Sequence, residues 1–153
     1  MPLASLHAPF DHHDWIFELK YDGFRALGYI DSGKCWLVSR RGTTYKSFPQ
    51  LCTALGAAIP AHAVLDGEIV YLDADGKPQF YELMRRRAPQ HYYAFDLLWL
   101  DGHDLRDIRL TERKRLLRGL VCPPVLYADH FEARGMDLFQ AACDHDLRGL
   151  LPN

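Results

Sequence analysis

The sequence has no apolar run approaching the ~20 residues a membrane-spanning helix needs. Its opening, MPLASLHAPFDHHDW, has neither a basic start nor an apolar signal core. A membrane span and an export signal are therefore not expected, and the cytoplasm is the expected compartment. Charge of one sign is not in excess either: 18 basic residues stand against 20 acidic ones, a formal charge of -2. Whole-molecule electrostatics thus do not advertise a nucleic-acid partner, and any basic surface must be local. Cysteine is sparse. Cys35, Cys52, Cys122 and Cys143 make no CxxC or Cys/His cluster, which argues against a zinc site and predicts reduced, mostly buried thiols. The eight histidines are scattered, with only His12 and His13 adjacent and no HExxH spacing, so they read as surface residues. Internal repeats, low-complexity tracts and linkers are missing as well.

What is present suits one domain. At 153 residues, 48% hydrophobic and 25% charged, the chain has a soluble globular profile, and such a length buries about 70% of its unfolded surface. The pattern predicts an α+β fold in which short strands dominate. Trp15 to Tyr21 alternates, with Trp15, Phe17 and Leu19 on one face and Ile16, Glu18 and Lys20 on the other. Phe24 to Ile30 and Lys34 to Ser39 read as a hairpin closed by Asp31-Ser32-Gly33. Ser47 and Gln50 predict a capping box for a helix whose Leu51, Leu55 and Ile59 share a face up to Pro60. Val64 to Leu72 and His91 to Leu100 read as buried strands. Phe80 to Arg87, Thr111 to Gly119 and Gly135 to Asp144 read as helices.

Several segments could carry chemistry. Gly28 to Cys35, GYIDSGKC, nearly matches a phosphate-binding loop, but Cys35 replaces the metal-holding hydroxyl and the segment lies between two strands. In ELKYDGFR, Glu18 to Arg25, a lysine ends a strand between two acids. Lys20 is either a solvated cation or a nucleophile, which needs its neutral amine. Gly23 is expected to let the backbone turn beside it. SRRG, Ser39 to Gly42, offers two guanidiniums suited to phosphate or ribose oxygens, or a solvated basic turn. LDGEIV places Asp66 and Glu68 two apart on one strand face, where metal, a ribose hydroxyl or an arginine must partner them. In YYAFDLLWLDG, alternation sends Phe95 and Asp96 to opposite faces.

In order and spacing these pieces resemble the covalent nucleotidyltransferases, specifically the adenylation domain of ATP-dependent DNA ligases, and most closely the ligase module of bacterial end-joining enzymes. The resemblance runs from Pro2 to Gly149, with KYDGFR as first motif, then SRRG, DGE and AFD. It implies antiparallel sheets flanked by helices and a reaction with ATP and Mg2+. The Lys20 amine would attack the α-phosphorus to give lysyl-AMP; AMP would pass to a DNA 5′-phosphate and be displaced by the 3′-hydroxyl at a nick. By the same resemblance Glu18 lies near the adenine amine, Arg25 and Arg40 near ribose or phosphate, Glu68 at ribose and metal, and Asp22 orients metal-bound water. Phe95 stacks on adenine.

The end of the chain departs from the family. Where a strand beginning Glu-Gly is expected, the sequence reads Arg148-Gly149-Leu150-Leu151-Pro152-Asn153. The later two-lysine motif and an OB-fold domain are not in the sequence, so the expectation is a single, C-terminally incomplete adenylation domain with weak hold on DNA. A non-catalytic nucleotide-binding or interaction module is the alternative. A homodimer through an open sheet edge near Leu147, Leu150 and Leu151 is a further expectation, set against a tail that packs on its own sheet.

Overall fold

Where apolar residues alternate the chain runs as strand, and where they recur every three or four residues it turns as helix. The computed structural model describes residues 9–144 and 150–152. In order these form β1 (Ile16–Leu19), β2 (Phe24–Asp31), β3 (Lys34–Ser39), α1 (Pro49–Ala58), β4 (Ala63–Tyr71), α2 (Phe80–Met84) and β5 (Gln90–Leu100), then β6 (His103–Asp104), α3 (Leu110–Leu120), β7 (Val125–Tyr127), β8 (His130–Glu132), α4 (Gly135–Asp144) and β9 (Leu150–Pro152). They sort into two compact units, Asp22–Tyr127 and the chain ends, Met1–Tyr21 with Ala128–Asn153.

The larger unit is built on a sheet of order β3-β2-β4-β5-β6, with β7 parallel to β5. Ser32 (φ 50) and Gly33 (φ 77) close the β2–β3 hairpin, the positive-φ pair that matches strand twist in a two-residue turn. No helix follows Gly33, so the GYIDSGKC segment is a hairpin and not a phosphate loop. One buried cluster joins Ala26, Leu37, Leu65, Ile69, Tyr92 and Leu97 of the sheet to Leu55 of α1 and Leu117 of α3. At its centre Ala26, Gly67 and Ala94 stand in register across β2, β4 and β5. A Cβ on Gly67 would fall 2.4 Å from the Tyr93 carbonyl oxygen and 2.5 Å from the Tyr92 ring. The Tyr92 hydroxyl reaches over this row to Ala26 O at 2.8 Å and Leu65 O at 3.3 Å, satisfying a fully buried phenol.

Helix α1 begins differently from the capping-box expectation. Phe48 is the N-cap and makes no side-chain cap bond, while Pro49 opens the helix. Proline needs no N–H partner there and its fixed φ is already helical, so Ser47 is not required as a cap. Leu51, Leu55 and Ile59 are buried as expected. The thiols differ too: Cys35 and Cys52 are half-buried, and Cys122 and Cys143 are exposed. Among the described histidines, His91 and His130 are half-buried and the others exposed.

In the unit of the chain ends, β1 lies between β8 and β9, antiparallel to both. Ile16, Phe17 and Glu18 are all buried while Trp15 is 40% exposed. The expected alternation therefore does not translate into an inner and an outer face. Asp11 accepts the Met136 N–H at 2.8 Å, capping α4 from a distant part of the chain. Gly135 permits this approach, since a Cβ there would lie 2.1 Å from Phe10 O. Leu150 pairs with Leu19 and Pro152 with Phe17, so this segment joins its own sheet. Leu147 lies outside the described residues. No helix among the described residues is long and apolar enough to cross a membrane.

The close approach at Gly67 sets a measurable cost. Gly67→Ala should lose about 3 kcal/mol in guanidinium unfolding, because backbone and a buried ring must move together. Tyr92→Phe should lose about 1 to 2 kcal/mol for its buried hydrogen bonds. An unchanged Gly67→Ala midpoint would show that β4 and β5 can separate freely.

Candidate functional site

Strand periodicity forces neighbours of the Ala26–Gly67–Ala94 row to the other side of the sheet. Arg25, Glu68 and Tyr93 are in register there, directly beside it. Arg25 makes a two-pronged bond to Asp66, Nε to Oδ1 at 3.1 Å and Nη2 to Oδ2 at 2.9 Å. Its guanidinium carbon also lies 5.1 Å from the centre of the Phe95 ring. One cation is thus held over an aromatic face by a carboxylate.

Asp66 and Glu68 share the face, as their spacing predicts, yet meet different fates. Asp66 receives the arginine. Glu68 is pushed up to about 7, chiefly by burial, with Asp22 and Asp66 adding to the rise and Arg25 opposing it. The Gly23 backbone N–H is a smaller influence holding the carboxyl down. Gly23 does not take a left-handed turn; a Cβ there would meet Ile69 O at 2.1 Å. Its need for glycine is close packing on β4, which is what brings Asp22 into the field of Glu68. Tyr45, absent from the sequence reading, belongs here: burial and the Glu68 carboxyl push its phenol upward, and its hydroxyl lies 3.5 Å from Arg25 O. Its only sequence signal was its place just after SRRG.

Phe95 and Asp96 depart from simple alternation. Asp66 pairs with Asp96 and Gly67 with Ala94, leaving Phe95 as an extra residue in β5. Register therefore puts Asp96 opposite Asp66 and not on the far face. The Asp96 carboxylate is engaged by Arg113 of α3 at 2.8 Å through both prongs, a structural use. The Ser39–Gly42 segment is a turn closed by Gly42 N–H to Ser39 O at 2.9 Å. Arg40 and Arg41 are exposed on it. Ser39 pairs with Ala26, so the turn follows beside the start of β2, next to Arg25.

Glu18 and Lys20 belong to the other unit. Glu18 is 4% exposed in the middle strand of its sheet, and Lys20 is exposed immediately beyond the strand end. Arg148 and Gly149 lie outside the described residues.

Residues 3–145 match the family described as ATP dependent DNA ligase domain. The chain is 34% identical over 159 residues to the multifunctional non-homologous end joining protein LigD of Pseudomonas aeruginosa, covering 97% of this chain and 19% of that protein. It is 31% identical to the SPbeta prophage-derived DNA ligase-like protein LigB of Bacillus subtilis, covering 99% of this chain and 58% of that protein. Among solved structures, the ligase domain of M. tuberculosis LigD superposes with a TM-score of 0.83 at 31% identity, over 99% of this chain and 52% of that one. A mycobacterial DNA ligase D complexed with ATP and MES gives a TM-score of 0.81 at 29% identity, over 99% of this chain and 53% of that one. The chain thus spans about a fifth of the P. aeruginosa LigD and about half of the solved ligase chains. Its α+β architecture is the nucleotidyltransferase fold of those ligase domains. The chain belongs to the ATP-dependent DNA ligase domain family.

Proposed function

We propose that this chain carries the adenylation step of an ATP-dependent DNA ligase, serving strand joining in DNA repair in the cytoplasm as a single adenylation domain. The observation that carries the reading is Arg25, laid on Phe95 by Asp66 beside the half-buried Glu68. With the guanidinium on one side of the ring, adenine would take the other, and Arg25 and Arg40 would meet ribose or phosphate oxygens. Glu18 would accept from the adenine amine, and Glu68 from a ribose hydroxyl. The Lys20 amine would attack the α-phosphorus in line, expelling pyrophosphate. AMP would then pass to the 5′-phosphate of a DNA nick or end.

Asp22 and Glu68 would hold Mg2+. Among the described residues the one three-ligand group is His12, His13 and Asp14 on the exposed N-terminal segment. Two carboxylates nevertheless suit Mg2+, which completes its shell with water and substrate phosphates. A carboxyl raised by burial and by neighbouring acids fits a cation site. When bound, the ion neutralises charge on the phosphates. Nucleotide binding without turnover is a second reading, favoured by Arg148 standing where the family has an acid. Pairing of two copies through the outer edge of β9 is the self-association this architecture allows, and sedimentation at micromolar concentration would detect it.

Intact mass after incubation with ATP and Mg2+ separates the two readings. The adenylyltransferase gains one AMP, mapped to Lys20, lost on adding pyrophosphate and absent in Lys20→Ala. AMP on another lysine sinks the assignment, and no adduct favours binding alone.

Glu68 gives a pH dependence. Its folded value, about 7, lies above the ordinary 4.5. The stability it confers is therefore present below the ordinary range and lost as pH rises through about 7. Glu68→Gln should stabilise the free protein at pH 8 by roughly 1 to 2 kcal/mol and flatten the slope below neutrality. Apparent Mg2+ affinity should rise with pH up to about 7 and then level off. A destabilised Glu68→Gln at pH 8 would contradict this electrostatic account.

Asp66→Asn should release Arg25 from Phe95 and raise the ATP concentration for half-maximal adenylation about tenfold. Unchanged ATP dependence would show that the Arg25 position does not matter.

A further inference from the structure

Cys35, Cys52, Cys122 and Cys143 are all free thiols, and the adenylation chemistry uses none of them. Two of them meet. Cys35 stands on β3, the edge strand of the larger sheet, and Cys52 on α1, which lies against that strand. Cys35 shares its strand face with Leu37, and both thiols pack against the buried cluster of Leu37, Leu51 and Leu55, each acting on the other's ionisation. This approach is fixed by backbone and not by chance rotamers. Gly56, one turn after Cys52 on the same helix face, sits so close to the hairpin that a Cβ would lie 2.3 Å from Gly33 O. One turn earlier on the same helix face, Cys52 stands against β3, where Cys35 and the Leu37 N–H act on its ionisation.

The pair is chemically unequal. The neighbouring Cys35 thiol is the main influence lowering the Cys52 thiol to about 7, burial opposes it, and the Leu37 N–H assists. The same interaction, followed by burial, pushes Cys35 upward. A thiolate with a protonated thiol at its side is the arrangement in which one sulfur attacks an oxidant and the other resolves the product. Both residues are half-buried, which leaves them open to a small oxidant. Cys122 and Cys143 are exposed, and Cys122 donates to Ala58 O at 3.4 Å.

We propose that Cys35 and Cys52 form a redox-active dithiol site, which a small hydroperoxide converts to an intramolecular disulfide joining β3 to α1. The Cys52 thiolate attacks the outer peroxide oxygen; the O–O bond breaks, and the departing oxygen takes up a proton. Cys52 is then a sulfenic acid. Cys35 sulfur attacks Cys52 sulfur, the S–O bond breaks, and the leaving hydroxide takes the Cys35 proton as water. With hydrogen peroxide, two thiols lose two hydrogens and two waters form. The bridge encloses the Ser39–Gly42 turn with Arg40, and Tyr45, so the modification closes a ring around part of the nucleotide face; that consequence rests on the proposed function, whereas the thiol chemistry does not.

The test is non-reducing peptide mapping of the full chain after brief treatment with hydrogen peroxide at neutral pH. The expected product is a monomer lighter by two hydrogens, with a peptide linking Cys35 to Cys52 that dithiothreitol separates. In Cys35→Ser, dimedone should label Cys52, and Cys52→Ser should slow peroxide consumption tenfold or more. A linked peptide through Cys122 or Cys143, equal labelling of all four thiols, or sulfinic acid at Cys52 without a bridge in the wild-type chain would each overturn the proposal. Because the wild-type map is decisive alone, a variant that fails to fold does not blur the result, and the readout is independent of AMP transfer.

Discussion

The larger unit depends on the absence of side chains at its centre. Ala26, Gly67 and Ala94 stand in register across three strands, and Tyr92 lays a buried ring over them to reach Ala26 O. A sheet with bulkier residues there could not hold this phenol against its own backbone. The row also dictates everything on the opposite face. Since side chains alternate, fixing Ala26 and Gly67 inward leaves Arg25, Asp66 and Glu68 no choice of side. Packing in the core is thus the reason that the polar residues assemble, and no attraction among them is needed to bring them together.

Magnitudes separate what the polar residues do. An exposed ion pair is worth about 0.2 to 1 kcal/mol, and the Arg25 side chain is 51% exposed. The Arg25–Asp66 pair therefore adds little stability, and its value is orientation of a planar group over Phe95. Glu68 is a different case. Moving a carboxyl from 4.5 to about 7 corresponds to roughly 3 kcal/mol between its protonation states. Burial outweighs the attraction of Arg25, so the free site is strained electrostatically at high pH. Two acids two residues apart thereby become a fixed brace and a titratable group.

Much of this was legible in sequence because it is local. Strand period, the Ser32-Gly33 turn, the common face of Asp66 and Glu68, and the leucines of α1 all follow from spacing within a few residues. What was not legible is what depends on distant backbone. Gly23 looks like a turn glycine but is required by a β4 carbonyl, Ser47 looks like a cap but Pro49 supersedes it, and Asp11 caps a helix 125 residues away. Cys35 and Cys52 look isolated because a helix packed on an edge strand brings together positions that no short motif connects. The pairing of Leu150–Pro152 with β1 joins the two extremes of the sequence, and local pattern is silent on such closure. Arg25 and Asp66 lie between these cases: each was singled out, but their union needed the β2–β4 register.

The β5 register carries this point furthest. Val64 pairs with Trp99 and Leu65 with Leu97, then Asp66 with Asp96 and Gly67 with Ala94, so Leu98 and Phe95 are both extra. Each insertion shifts the alternation by one, and the inward residues Ala94, Leu97 and Leu100 consequently recur every third position. Without the first insertion Leu97 would point away from the core; with the first alone Leu100 would, and the second restores the phase at the strand end. Phe95 sits at the first of these interruptions, free of a cross-strand partner and therefore available to lie beneath Arg25. The irregularity that defeats a period-two reading of this strand is what places the aromatic ring in the site.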